Sequence, residues 1–127
     1  MNIALTGSSG LLGSKLLLDL QKMGHEVLCI SSSKSSPKDN IFLYEELRSK
    51  KFDFNADFVM HLASINSNLT ESEIYQEVDL LREVTSSMET LNCKNIIFFS
   101  TIKVYGENSF DFILIDESFS QTPECFY

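Results

Sequence analysis

The chain is short of thiols, of positive charge and of long apolar runs, and each shortage removes a class of function. Its three cysteines, Cys29, Cys93 and Cys125, form an odd and scattered set without C-x-x-C spacing, which supports neither a disulfide framework nor a zinc site. Cys29 sits inside a strand-like run and reads as a small core residue. Two histidines, His25 and His61, are too far apart in sequence to suggest a metal site. His25 follows the glycine that ends the first helix, where it can meet the C-terminal dipole. With 10 basic against 18 acidic residues, a net charge of −8, neither nucleic acid nor an anionic membrane is expected as the main partner. No apolar run approaches the roughly 20 residues that a membrane span needs. No basic segment followed by an apolar signal core opens the chain, so the sequence reads as cytoplasmic. At 127 residues, 43% hydrophobic and 22% charged, it has the composition of one folded domain.

Glycine is scarce too, yet three of the five glycines fall within Thr6-Gly7-Ser8-Ser9-Gly10-Leu11-Leu12-Gly13. This segment joins an apolar strand, residues 2–5, to an apolar helix, with spacing G-x-x-G-x-x-G. Gly7 would let the chain leave the strand in a conformation closed to other residues. Gly10 would let the main chain approach a pyrophosphate, and Gly13 would let the helix press onto the sheet. The free N–H groups and positive dipole end of that helix would then face phosphates. Ser9, Leu11 and Leu12 fill the turn between the glycines. A turn built only for tight packing uses the same residues, so the motif needs its context.

That context is an alternation of strands and helices. Leu11, Leu12, Leu16, Leu17 and Leu20 recur at helical spacing until Gly24 stops the helix. Residues 27–30 read as a second strand, and the serine-rich segment 31–37, ending in Pro37, as a loop. A short strand over 41–44, a short helix over 45–51 and a nearly continuous apolar strand over 58–62 follow. The longest helix spans 71–91, with Ile74, Val78, Leu81, Val84, Met88 and Leu91 expected on its buried face, and a fifth strand spans 96–99. Right-handed crossovers then give an α/β, doubly wound parallel sheet of five strands ordered 3-2-1-4-5. The expected unit is one incomplete dinucleotide-binding domain over residues 1–127, with no second domain. A ligand belongs where the strand order reverses, between strands one and four.

Two more segments convert this fold into a family resemblance. Asp57-Phe58-Val59-Met60-His61-Leu62-Ala63-Ser64 resembles the signature D-x-V-x-H-L-A-A, and Phe99-Ser100-Thr101-Ile102-Lys103-Val104-Tyr105-Gly106 resembles S-S/T-x-x-V-Y-G. With the glycine turn, three motifs in order resemble the extended short-chain dehydrogenase/reductase family of nucleotide-sugar epimerases, dehydratases and reductases. The resemblance implies a Rossmann-like fold and an NAD(P) cofactor. It implies that Thr101 hydrogen-bonds the substrate oxygen, and that Leu62, Ala63 and Ser64 pass close to the dinucleotide. Tyr105 belongs to the structural part of its motif. The family's general base is the tyrosine of a later Y-x-x-x-K, and the spacing from Thr101 reaches Tyr127, the last residue.

The lysine that would lower the tyrosine pKa from about 10 is therefore absent, as is the smaller domain that grips a sugar nucleotide in the family. The expectation is a truncated chain without efficient turnover, for which a sugar nucleotide is a partner only in a full-length form. Loss of the helix carrying that motif should uncover strands four and five. The apolar segment Phe110-Asp111-Phe112-Ile113-Leu114-Ile115 would fold back over the open sheet, pair with its exposed edge or mediate self-association, or it would form the usual short strand-like excursion.

Cofactor choice is read at the end of the second strand, where NAD-preferring relatives place an aspartate. Here Ser31 or Ser32 holds that position, followed by Lys34. Hydroxyls and an ammonium suit the 2′-phosphate of NADP, with NAD still open if an acidic residue comes from elsewhere. Tyr75-Gln76-Glu77-Val78-Asp79 carries an aspartate where relatives have asparagine, which removes a hydrogen-bond donor. Three functional readings stand: the cofactor-binding part of a nucleotide-sugar enzyme, a non-catalytic dinucleotide-binding or interaction module, and a remnant that keeps only the fold.

Overall fold

The computed structural model describes residues 1–32, 41–49, 53–64, 71–100, 105, 118 and 120–121. Its elements run β1 (Asn2–Thr6), α1 (Leu11–Lys22), β2 (Glu26–Ser31), β3 (Ile41–Leu43), α2 (Tyr44–Ser49), β4 (Phe58–His61), α3 (Glu71–Thr90) and β5 (Ile96–Phe98). All strand pairs are parallel, and the order is β3-β2-β1-β4-β5, as the alternation of apolar runs predicts. Because the chain reverses its direction of winding after β3, β1 and β4 are neighbours and their C-terminal ends open a crevice.

Side-chain alternation divides the strands between two layers. Ala4, Leu28, Ile30 and Val59 meet Tyr44 and Leu47 of α2 and Val84 and Leu91 at the α3 side, forming the main core. Ile3, Leu5 and Cys29 are also buried but stand outside that cluster. Arg48 Nη2 reaches Glu83 Oε2 at 2.7 Å and ties α2 to α3 at the rim of the core.

Both long helices end on the same device. At α1, Gly24 takes φ +80°, its N–H bonds the Gln21 carbonyl, and the His25 N–H bonds that of Leu20. At α3, Asn92 takes φ 48° and the Asn92 and Cys93 N–H groups bond the carbonyls of Glu89 and Met88. These left-handed caps satisfy carbonyls that a helix end leaves open.

Two readings of the sequence are corrected. Tyr44 begins α2 instead of closing β3, because the Glu46 carboxylate reaches back to accept from the Leu43 N–H at 2.9 Å and starts the helix there. The inward face of α3 is carried by Leu80, Val84, Ser87 and Leu91, with Met88 beside them, while Val78 and Leu81 are 42% and 41% exposed. A serine can lie in that face because its hydroxyl donates to the Glu83 carbonyl at 2.7 Å. On β5 and just beyond it, Ile96, Ile97, Phe98 and Phe99 are exposed, while Val59 and His61 of β4 are buried. Segment 110–115, expected to cover this edge or to mediate self-association, lies outside the described residues.

Candidate dinucleotide site

Gly7 leaves β1 at φ +72°, and a Cβ there would lie 2.7 Å from the Ala63 nitrogen and 2.8 Å from the Leu62 carbonyl carbon. Glycine is required twice over, by conformation and by the backbone that follows β4. Gly13 is excluded from substitution by space alone, since its Cβ would fall 2.1 Å from the Gly7 carbonyl oxygen. Gly10 differs from both. Its φ is −72°, and a Cβ would meet only the Gly7 oxygen, at 3.3 Å. That contact with a backbone oxygen is tight but far less severe than those at Gly7 and Gly13, and Gly10 itself lines the cleft.

That cleft has a volume of about 360 Å³ and lies over the C-terminal ends of β1, β2 and β4. Gly7, Ser9 and Gly10 form one side, Leu62, Ala63 and Ser64 another, and Ser31 and Ser32 the far end. Eight of the residues singled out from sequence are therefore brought together. Leu11 and Leu12 stand in the first turn of α1, 83% and 57% exposed, and do not line the cleft. Gly13 is buried beneath the turn. Lys34, Thr101 and Tyr127 lie outside the described residues.

The N-terminus of α1 faces this space without a side-chain cap and without an acidic residue in its first turn. Its first N–H groups have no helical acceptors, so they and the helix dipole favour an anion. The residues present thus fit a pyrophosphate on three counts: an uncapped helix start, no competing carboxylate in that turn, and a glycine, Gly10, on the cleft wall beside it.

A buried polar pair fixes the cleft wall. Thr6 Oγ1 and His61 Nδ1 are 2.7 Å apart across the paired ends of β1 and β4. The Ala63 N–H donates to the same Thr6 oxygen at 3.3 Å, which draws the turn after β4 against Gly7. Burial pushes the His61 imidazole below its ordinary value, only partly opposed by the Glu77 carboxylate. A neutral ring carries one N–H, so the tautomer decides whether Thr6 Oγ1 or His61 Nδ1 donates across this contact, while Thr6 Oγ1 also accepts from the Ala63 N–H. The His61 ring also packs on Phe98, with centroids 5.5 Å apart.

Sequence reasoning passed over Tyr44, Ile41, Leu80, Ile30 and Ser8, which complete the lining. Their signal is long-range packing, and no spacing along the chain encodes it. A larger groove of about 550 Å³ lies at the opposite end of the sheet, around His25, Glu26, Asp53 and Phe54. It contains neither the glycine turn nor a helix start. Among the described residues no group of three or more His, Cys, Asp or Glu could hold a metal ion, and no helix is long and apolar enough to cross a membrane.

A five-stranded parallel sheet with a glycine turn and an open helix start at its switch point defines the dinucleotide-binding class of α/β domains. Residues 3–125 match the NAD dependent epimerase/dehydratase family, and the chain belongs to that family. Among solved structures it is similar to a short-chain dehydrogenase/reductase superfamily protein from Agrobacterium tumefaciens with bound NAD. The TM-score is 0.75 at 19% identity, over 98% of this chain and 40% of that one. It is also similar to the UDP-glucose 4-epimerase of Stenotrophomonas maltophila with bound NAD and formylated UDP-arabinopyranose, with a TM-score of 0.74 at 20% identity, over 96% of this chain and 43% of that one. A human epimerase family protein with NADPH gives a TM-score of 0.63 at 20% identity, over 83% of this chain and 38% of the other. The chain spans about 40% of the length of these structures and matches their N-terminal part.

Proposed function

We propose that the chain binds a nicotinamide dinucleotide in the cleft over Gly7, Gly10 and Gly13, as the cofactor-binding part of a nucleotide-sugar epimerase, dehydratase or reductase. The observation that carries this reading is the uncapped, carboxylate-free start of α1, with Gly7, Ser9 and Gly10 lining a cleft over the ends of β1, β2 and β4. Family membership supports it, and so do the relatives solved with NAD or NADPH. In this reading the first-turn N–H groups of α1 hold the pyrophosphate. Ser31, Ser32 and Lys34 receive the adenosine ribose, with NADP preferred to NAD because no carboxylate stands at the end of β2 to repel a 2′-phosphate. Leu62, Ala63 and Ser64 bound the dinucleotide on the β4 side.

The bound cofactor supplies a hydride acceptor or donor. Thr101 would hydrogen-bond the reacting substrate oxygen and Tyr127 would exchange its proton, so the chemistry falls on residues at the C-terminal side of β5. A sugar nucleotide is the substrate class of this reading, and the 127 residues alone are expected to turn it over poorly. Thermal-shift titration with NADP⁺, NADPH, NAD⁺ and NADH tests the dinucleotide reading. A ligand at 100 times its dissociation constant stabilises the native state by about 2.7 kcal/mol. A rise with at least one dinucleotide is expected, and no rise with any of the four contradicts it.

A further inference from the structure

The turn between β1 and α1 carries two serines that are not equivalent. Ser9 is exposed, whereas Ser8 is only 6% exposed. The Ser8 main chain is clasped from two sides. The Gly10 N–H bonds the Gly7 carbonyl at 3.0 Å and closes the turn around Ser8 and Ser9, and α1 lies so near that a Cβ at Gly13 would fall 3.0 Å from the Ser8 Cα. Four polar residues are buried in the described part of the protein: Thr6, Ser8, His61 and Ser87. Thr6 and His61 bond each other, and Ser87 donates to the Glu83 carbonyl. The Ser8 hydroxyl forms no hydrogen bond among the described residues. It is not sealed off either, because the unpaired side-chain oxygens shut away from solvent there are those of Tyr44 and Glu83. The space that Ser8 lines is the cleft.

Buried polar groups in native proteins are nearly always paired, and one left open on a cleft wall is available to whatever enters the cleft. We propose that Ser8 is a cofactor-contacting residue: its hydroxyl hydrogen-bonds an oxygen of the ADP moiety, the part that NAD and NADP share. This rests on the dinucleotide reading above. Ser8 stands two residues before Gly10, the N-cap of α1, and so beside the helix start that holds the pyrophosphate in that reading. A hydroxyl both donates and accepts, which suits the phosphate and ribose oxygens of that moiety alike. The clasped main chain fixes where the group stands before the ligand arrives, so little ordering is lost on binding. Few polar groups are needed to orient a ligand in a mostly apolar pocket, provided that they are placed in advance.

The test compares the full chain with its Ser8→Ala form. Melting temperature without ligand is measured for both, together with the dissociation constants of NADPH, NADH and ADP. Removal of the hydroxyl should weaken all three ligands by a common factor of about five. The free protein should still melt within about 4 °C of the wild-type temperature, since no bond within the protein is broken. Unchanged affinities overturn the inference. A loss confined to NADPH overturns it too, because the contact would then lie at the 2′-phosphate, as does a loss that spares ADP. Weaker binding that comes with a melting temperature lowered by more than about 4 °C also counts against it, since a disturbed turn would account for both changes. If the unaltered chain binds none of the three ligands, it is the cofactor reading that fails, a result separable from the others.

Discussion

The three glycines of the turn make separable demands, and replacing two of them by alanine should dissect stability from binding. At Gly13 the new methyl carbon would fall 2.1 Å from the Gly7 carbonyl oxygen and 2.8 Å from its carbonyl carbon. Those are backbone atoms, and Gly7 is itself held against the Ala63 backbone, so neither side can give way cheaply. Overpacking of this kind costs about 1–3 kcal/mol or more, against which alanine's higher helix propensity returns about 1 kcal/mol. A net loss of about 2 kcal/mol lowers the melting temperature by about 8 °C in a chain of 127 residues. At Gly10 the methyl meets one atom at 3.3 Å, and φ −72° is open to any residue. The exchange at this N-cap position should cost under about 1 kcal/mol. Gly10 lines the cleft beside the start of α1, and in the dinucleotide reading a methyl added there should lower affinity by about tenfold or more. Differential scanning fluorimetry and isothermal titration calorimetry on the two variants provide the readouts. A Gly13→Ala protein as stable as wild type would refute the packing argument. A Gly10→Ala protein that binds as wild type does would refute the cradle.

Stability should decline as pH falls. His61 binds its proton less readily folded than unfolded, so below about pH 6.5 the unfolded state takes up protons first, and stability is lost progressively down to the lower folded value. His61→Gln should flatten that part of a urea-denaturation pH profile; an unchanged profile counts against a neutral buried His61. Ser32→Asp places a carboxylate at the exposed end of β2 and should shift the NADPH to NADH affinity ratio toward NADH by about tenfold, read by fluorescence titration. An unaltered ratio would remove this end of the cleft from cofactor choice. Leu47→Ala empties a fully buried position beneath α2 and should cost about 2–5 kcal/mol in chemical denaturation. A loss under 1 kcal/mol would mean that α2 is not docked on the core as described.

Much of this architecture is legible because local and long-range signals agree. The run 2–5, the glycine turn and the leucine spacing of α1 state one βα unit, and β4 is apolar enough to be read as a strand covered on both faces. On the expected face of α3, Val84, Met88 and Leu91 do pack on the core, and Val78 and Leu81 do not, for a physical reason. Val78 and Leu81 match the helical period as well as Leu80 does, and only the position of the helix on the sheet decides which of them is covered. Serine at position 87 hides the true face, because a self-satisfied hydroxyl looks polar in sequence and behaves as small in the core. The cleft is legible where backbone chemistry makes it, at Gly7, Gly10 and the turn after β4. It is illegible at Tyr44, whose part depends on packing across three strands and two helices.

The most direct test of the central claim is an amide chemical-shift titration of the isotopically labelled chain with NADPH and NADH. The account predicts the largest shifts at Gly7, Ser9, Gly10 and the first turn of α1, with smaller ones at Ala63, Ser64 and Ser32. It would be contradicted by shifts confined to the groove around His25 and Phe54, or by none at all.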